Sequence, residues 1–241
     1  MTVLRLAIAA LLLAPPAIAA PPPIVTMATQ SGGQAMDRDA FGGNPFASAF
    51  IQTLDKRDLT LPAALNELKE ATVDLSGRFQ TPDFATATDD GWKFASPASG
   101  ERRVALVVVL AEYGLATGLK SLPGAAFDAV RVSRALRKSG YATEMVVAAD
   151  LAEFRATLAA FRDSAAKADT ALIYTTGHGV ETGGKVWLIG PDYPRPQGKA
   201  ALPTHAIAIS EVAAAAVAKA RNLIFYAGCR DDPLADMQSG G

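Results

Sequence analysis

The stretch "NLIFYAGCRDD", residues 222–232, decides the fold when set beside "TALIYTTGHG" at 170–179. Each begins as a short apolar run of the kind that forms a strand buried on both faces, as in a parallel sheet. Each run then leads into a residue with chemistry: His178 between two glycines, and Cys229, the single cysteine of the chain. Ligands of parallel α/β sheets bind beyond the carboxyl ends of the strands. If these two strands are neighbours, imidazole and thiol face one another across the same sheet edge.

Working outward from them, the second part of the chain alternates strands and helices. "RVALVVVL" (103–110) is a Val-rich buried strand. A helix follows Pro123, with Ala129, Val132 and Leu136 on one face and Gly140 past its end. "YATEMVVA" is a strand. Asp150 caps a helix whose stripe is Leu151, Phe154, Leu158 and Phe161. "KVWLIG" is a short strand suited to a hairpin. Ser210 opens an Ala-rich helix over 210–220 before the strand that leads to Cys229. The alternation predicts an α/β fold with a mostly parallel, doubly wound sheet.

Residues 21–100 differ. A short strand is expected from Ile24 to Ala28, then a glycine-rich loop. Asn44 and Pro45 open a helix in which Phe46, Phe50 and Leu54 recur every four residues. A second helix carries Leu61, Leu65, Leu68 and Leu75, and "GWKFAS" (91–96) reads as a strand. Two amphipathic helices and two scraps of strand make a poor core by themselves, so this part is expected to complete the sheet of the second.

The chain has 241 residues, half of them apolar, and a net charge of −1. It has no basic patch of the kind nucleic acid or an anionic membrane surface requires. One cysteine makes no intramolecular disulfide, no Cys/His group has zinc spacing, and the acids of "TDDGW" are too ordinary to define a metal site. No cofactor is implied. Residues 1–20, "MTVLRLAIAALLLAPPAIAA", read as a signal peptide: Arg5, an apolar core, a Pro-Pro break, and small residues that place the cut after Ala19 or Ala20. The apolar run falls short of the ~20 residues that span a bilayer. The protein is expected to be periplasmic or secreted, with no stable membrane span after signal removal; an uncleaved anchor is the alternative.

A lone cysteine at a strand end is more often a small buried hydrophobe than a nucleophile. Paired with His178 on the next strand, it has what thiol catalysis needs, a base for the proton and a thiolate for the carbonyl. The N–H groups of Gly179 and Cys229 would stabilise the oxyanion. Such a thiol is expected to alkylate selectively near neutral pH. His205 lies in a loop with no partner and reads as structural or solvated.

"YTTGHGVETGGKVWLIGPD" with "NLIFYAGCRDDP" resembles the caspase-like cysteine peptidases, and most of all their bacterial members, with motifs of the form Y-x-G-H-G and D-A-C-R-D-N-P. "RVALVVVLAEYG…LKSLPGAAFDAVRVSRAL" is similar to their first strand and helix. The resemblance implies that His178 is the general base, Cys229 the nucleophile and Gly179 an oxyanion donor. It also implies a polypeptide substrate; oligomeric state is left open. Residues 24–95 follow the order of the family's small-subunit part, including an N-S-P-F-like "GNPF", but stand before the large-subunit part. The resemblance therefore implies a circularly permuted caspase-like domain. Residues 21–97 are small-subunit-like, 98–102 a linker, and 103–241 the part carrying the dyad, all one structural domain. The family's last strand is antiparallel. The link over 96–102 must then cross about four strand spacings, roughly 19 Å, and reaches that far if nearly extended.

Relatives that cleave after Arg or Lys hold the basic side chain with acids. Asp128 matches one of these and Thr176 matches a pocket hydroxyl, but Ala227 stands where another aspartate is usual. A preference for Arg or Lys is weakened accordingly. Two other readings stay open: a pseudo-peptidase that binds peptides as a scaffold, and a hydrolase of esters or thioesters.

Overall fold

A computed structural model describes residues 19–40, 42–232 and 234. The proposed signal peptide lies almost wholly outside the described residues. In chain order the elements are β1 (Ile24–Met27), α1 (Pro45–Asp55), α2 (Leu61–Leu75), β2 (Asp83–Phe84), β3 (Arg103–Val109), α3 (Pro123–Lys138), β4 (Ala142–Val147), α4 (Leu151–Ala165), β5 (Thr170–Thr176), β6 (Gly179–Thr182), β7 (Lys185–Ile189), α5 (Leu202–His205), β8 (Ala206–Ala208), α6 (Ile209–Ala213) and β9 (Arg221–Tyr226).

Six strands form the main sheet in the order β2-β1-β9-β5-β3-β4. Five are parallel, and β2 runs antiparallel on β1. β3 and β5 are buried at every position, as their continuous apolar runs require. Alternation then sends Ala105, Val107 and Val109 to one face with Leu172, Tyr174 and Phe225. Leu106, Val108, Ile173 and Ile224 go to the other. α1, α2 and α3 cover the first face, and α4 and α6 the second. β6, β7 and β8 form a small antiparallel sheet of their own.

The front part has no separate core. β1 lies parallel against β9, with Ile24 opposite Leu223 and Met27 opposite Tyr226. Phe50 of α1 packs against Tyr174 and Phe225 of the second part, with ring centroids 5.7 and 4.7 Å apart. Asn44 caps α1 by accepting from the Phe46 N–H at 2.8 Å, and its amide donates to the Ala227 carbonyl at 3.1 Å. One residue thus starts a helix in the front part and holds the loop that leads to Cys229.

Two elements differ from expectation. No strand forms over 91–96. The antiparallel edge is β2, and 93 makes a single bridge to Thr60. The buried Arg103 guanidinium explains this, because it donates to the carbonyls of Lys93, Phe94 and Ser96. A side chain has taken the acceptors that a strand ladder would use. The crossing from one side of the sheet to the other is therefore made by the whole segment after β2. On the way, Asp90 pairs with Arg221 at the start of β9, and Trp92 lies against both Arg221 and Arg103. Residues 98–101 form a tight turn, with the Glu101 N–H donating to the Ala98 carbonyl at 3.1 Å, so the link is not extended. The second difference is α6, which ends at Ala213 and has no side-chain cap from Ser210. Farther along, the Asn222 side chain accepts from the Ala218 N–H at 2.7 Å and donates back to the Ala218 carbonyl. These bonds replace helical ones and turn the chain into β9.

Candidate active site

β5 and β9 are adjacent and parallel, with Thr175 opposite Tyr226, so both chains leave the same edge of the sheet. After β5 come Gly177 and His178; after β9 come Ala227, Gly228 and Cys229. A Cβ on Gly228 would lie 2.7 Å from the Gly177 carbonyl oxygen and 2.4 Å from the Tyr226 hydroxyl, so the two loops approach too closely for any side chain there. This approach brings His178 and Cys229 into the walls of the same pockets.

His178 is fixed from three directions. Its backbone N–H donates to the Tyr113 hydroxyl at 2.9 Å, and that hydroxyl donates to the Ile189 carbonyl at 3.3 Å. The two rings meet edge to face at 4.6 Å. Nε2 lies 2.7 Å from the Lys120 carbonyl. A carbonyl only accepts, so Nε2 carries the hydrogen and Nδ1 is left with its lone pair. Burial pushes the imidazole below its usual 6.5, against the opposing pull of the Lys120 carbonyl, Asp37 and Asp231.

Cys229 is half-buried. The Ala35 N–H, from the front part, donates to Sγ at 3.3 Å, and the thiol lies 3.6 Å from the Ala35 carbonyl. The flanking backbone is tied to the same loop: the Arg230 N–H donates to the Gly33 carbonyl and the Gly32 N–H to the Arg230 carbonyl. The Arg230 side chain pairs with Glu181 and Asp83, each at 2.8 Å, and reaches the Thr29 carbonyl. Burial pushes the thiol above its usual 9.0, the Ala35 N–H draws it back, and Asp231 raises it again.

Both shifts favour the neutral forms at pH 7: a thiol, and an imidazole with a free lone pair, in the walls of the same pockets. Alkylation of Cys229 by iodoacetamide is expected to follow a titration with its midpoint above 9.0, more alkaline than the sequence suggests. The acid limb of kcat/KM should fall below pH 6.5, because the base must be neutral and its pKa is lowered. A thiol midpoint below pH 7 would instead report a resident thiolate–imidazolium pair.

Gly179 lies directly against the backbone of Cys229: a Cβ there would fall 2.5 Å from the Cys229 carbonyl oxygen. The Glu181 N–H donates to the Asp231 carbonyl at 3.2 Å. Amides two residues apart on a strand point the same way, so the Gly179 N–H is turned toward the segment that carries Cys229.

A pocket of about 100 Å³ lies beside the pair, with Asn44, Asp128, Thr176 and Ala227 in its wall. Asp128 and Thr176 are thus brought to the site. The Asp128 carboxylate is fully buried and already engaged, accepting from the Asn44 N–H at 2.8 Å and from Arg131 at 2.5 Å. Burial raises its pKa to about 6, with Arg131 and Asn44 limiting the rise. Asp37, from the front part, lines the same pocket. His205 stands apart, 3.3 Å from Asp192. Among the described residues no group of three or more His, Cys, Asp or Glu side chains is arranged to hold a metal ion, and no helix is long and apolar enough to cross a membrane.

Sequence reasoning did not single out Tyr113, the Lys120 carbonyl or the Ala35 amide. The last two are backbone groups, which no residue type announces. Tyr113 sits in the turn after β3 and is found only once the fold brings it under His178.

A thiol and an imidazole at the carboxyl edge of neighbouring parallel strands are the layout of a cysteine hydrolase. A family model described as the caspase domain, of peptidase C14, matches residues 102–240, more than half of the chain and a span that includes His178 and Cys229. The chain belongs to this family, whose members are cysteine peptidases. No curated protein matches the chain.

Proposed function

We propose that this protein is an exported cysteine endopeptidase in which Cys229 is the nucleophile and His178 the general base. The observation that carries this reading is that both groups follow the shared edge of β5 and β9 and line the same two pockets, with the His178 Nε2 hydrogen committed to Lys120. In the first step Nδ1 takes the thiol proton as Sγ attacks the substrate carbonyl. The oxyanion is received by the N–H groups of Gly179 and Cys229. The imidazolium then gives its proton to the leaving amine, and a thioester remains. His178 next takes a proton from water, which attacks the thioester, and the thiol is restored with release of the acid.

We read the chain order as a circular permutation. The parallel pairing of β1 on β9 supports it, as does the family match beginning at residue 102, after the front part has already supplied two strands of the sheet. Export rests on the amino-terminal segment, and fractionation of cells producing the full chain tests it: the protein is expected outside the cytoplasm and shortened by 19 or 20 residues.

A preference for Arg or Lys at the cleaved position should be weak. Asp128 spends its charge on Arg131, and Ala227 supplies none. The kcat/KM for an Arg substrate is expected to exceed that for its norleucine analogue by less than about tenfold, under ~1.4 kcal/mol. A ratio in the hundreds would mean that Asp128, or Asp37 in the same wall, meets the substrate after all.

A second reading has specific support. The raised thiol pKa and Ala227 both suit a protein that binds peptides without cutting them. In that case Cys229→Ala would leave partner binding unchanged and the wild type would cleave no member of a broad peptide library.

A further inference from the structure

A second pocket shares Cys229, His178 and Ala35 with the one that holds Asp128 and otherwise has different walls; at about 240 Å³ it is more than twice the size. Its wall is made by Leu119, Gly179, Ile189, Tyr193 and Leu234, with Gln34, Arg195 and Asp231 also contributing. We infer that this pocket takes an aromatic or branched apolar side chain from the substrate residue next to the one that enters the Asp128 pocket. The inference rests on the peptidase reading for the identity of its ligand and on the structure alone for the pocket's chemistry.

Three observations carry it. The apolar wall is preformed. Ile189, Tyr193 and Leu234 are nearly fully buried and belong to the satellite core that β6, β7 and β8 build with Val180, Leu202 and Ala206. A ligand therefore meets a fixed surface and does not pay to order it. The polar groups are also paired off. The Tyr193 hydroxyl donates to the Gly198 carbonyl at 2.6 Å, which leaves its ring as wall. The Gln34 amide donates to Asp231 at 2.6 Å, and Arg195 reaches the Gly118 carbonyl at 3.5 Å. With one cation and one anion at the rim, neither sign of ligand charge is selected. The third observation is position. Both pockets include Cys229 and His178. An extended peptide sends successive side chains to opposite sides of its backbone. With its scissile carbonyl over Sγ, one flanking residue faces the Asp128 pocket and its neighbour faces this one.

The test does not require turnover. Intact-mass kinetics give the rates at which Cys229 is alkylated by iodoacetamide and by N-benzyliodoacetamide, which carries an aromatic ring on its amide nitrogen, within reach of a pocket next to the sulfur. Glutathione supplies the intrinsic ratio of the two reagents. On the wild-type protein the benzyl-to-plain ratio is expected to exceed that of glutathione by about tenfold or more. In Leu119→Glu, at a partly exposed wall position, it should fall back toward the glutathione value. A wild-type ratio equal to that of glutathione overturns the inference without any variant, and so does a ratio that Leu119→Glu leaves unchanged. A peptide library separates this from the peptidase reading. Cleavage with aromatic or branched residues enriched at one position beside the scissile bond supports both. Cleavage with no such enrichment overturns the pocket assignment alone. No cleavage, with the benzyl enhancement present, overturns the peptidase reading and leaves the pocket's ligand chemistry supported.

Discussion

Replacing Cys229 with alanine should lower peptide cleavage by ~10³-fold or more, and His178→Ala should do nearly the same. The two losses should not multiply, because each variant removes one half of a single step: without the imidazole the thiol keeps its proton, and without the thiol the imidazole has no nucleophile to activate. The double variant is therefore expected to be no worse than the poorer single one. Burial makes His178 matter more here than for an exposed pair. The thiol lies above its ordinary pKa, so little thiolate exists at pH 7 without a base to receive the proton. Raising the pH should restore part of the activity of His178→Ala and none of that of Cys229→Ala. Both variants should keep the wild-type circular dichroism spectrum and melting temperature within a few degrees, since neither residue sits in the two large cores. Equal cleavage by wild type and Cys229→Ala would remove the nucleophile from the account.

The largest effect on stability is expected at Arg103, far from the chemistry. Its side chain is completely buried. It donates to three carbonyls and to Glu101 at 2.7 Å, and it lies 4.3 Å from the Trp92 ring centre and 5.5 Å from that of Tyr141. Arg103→Ala takes the charged donor from those carbonyls and leaves the Glu101 carboxylate only its neutral donors, Trp92, Thr170 and the Ala98 N–H, and should cost about 3–5 kcal/mol. A urea unfolding curve measures it as a lower midpoint at unchanged slope. Acid should reveal the same clamp. Burial pushes the Glu101 carboxyl up, but hydrogen bonds from Arg103, Trp92 and the Ala98 N–H outweigh it and hold the group at about 2, against an ordinary 4.5. Because the folded value is the lower one, the stabilisation is complete above pH 4.5 and is lost as pH falls through that window toward 2, at ~3 kcal/mol. Arg103→Ala should flatten that acid limb. If the variant unfolds with the wild type at every pH, the joint between the two parts of the chain is held by something else.

The legible part of the fold was the part written in side chains. The Val run of β3 is apolar at every position because both its faces are covered, and Asn44-Pro45 and Asp150 mark helix starts by capping chemistry that any fold would use. The thiol and imidazole were legible for the same reason, each standing just past an apolar run. Elements whose existence depends on a partner were not. β2 is two residues long and is a strand only because β1 offers it an edge. Residues 91–96 carry strand-forming side chains, but their carbonyls turn toward Arg103. Within the site, the Ala35 amide and the Lys120 carbonyl are backbone groups, and their residue types are accidental to the role. The engagement of Asp128 by Arg131 three residues later lay in the sequence, yet only burial turns that neighbour into a competitor for substrate.

The most direct measurement is a crystal structure of the protein after reaction with a peptidyl chloromethyl ketone. The adduct should sit on the Cys229 sulfur as a thioether, chloride having left, with the retained ketone oxygen directed to the N–H groups of Gly179 and Cys229, the ring of His178 alongside, and the peptide running past the segment that contains Ala35. An adduct on any other side chain, or one on Cys229 whose oxygen points to solvent with His178 turned away, would contradict the account.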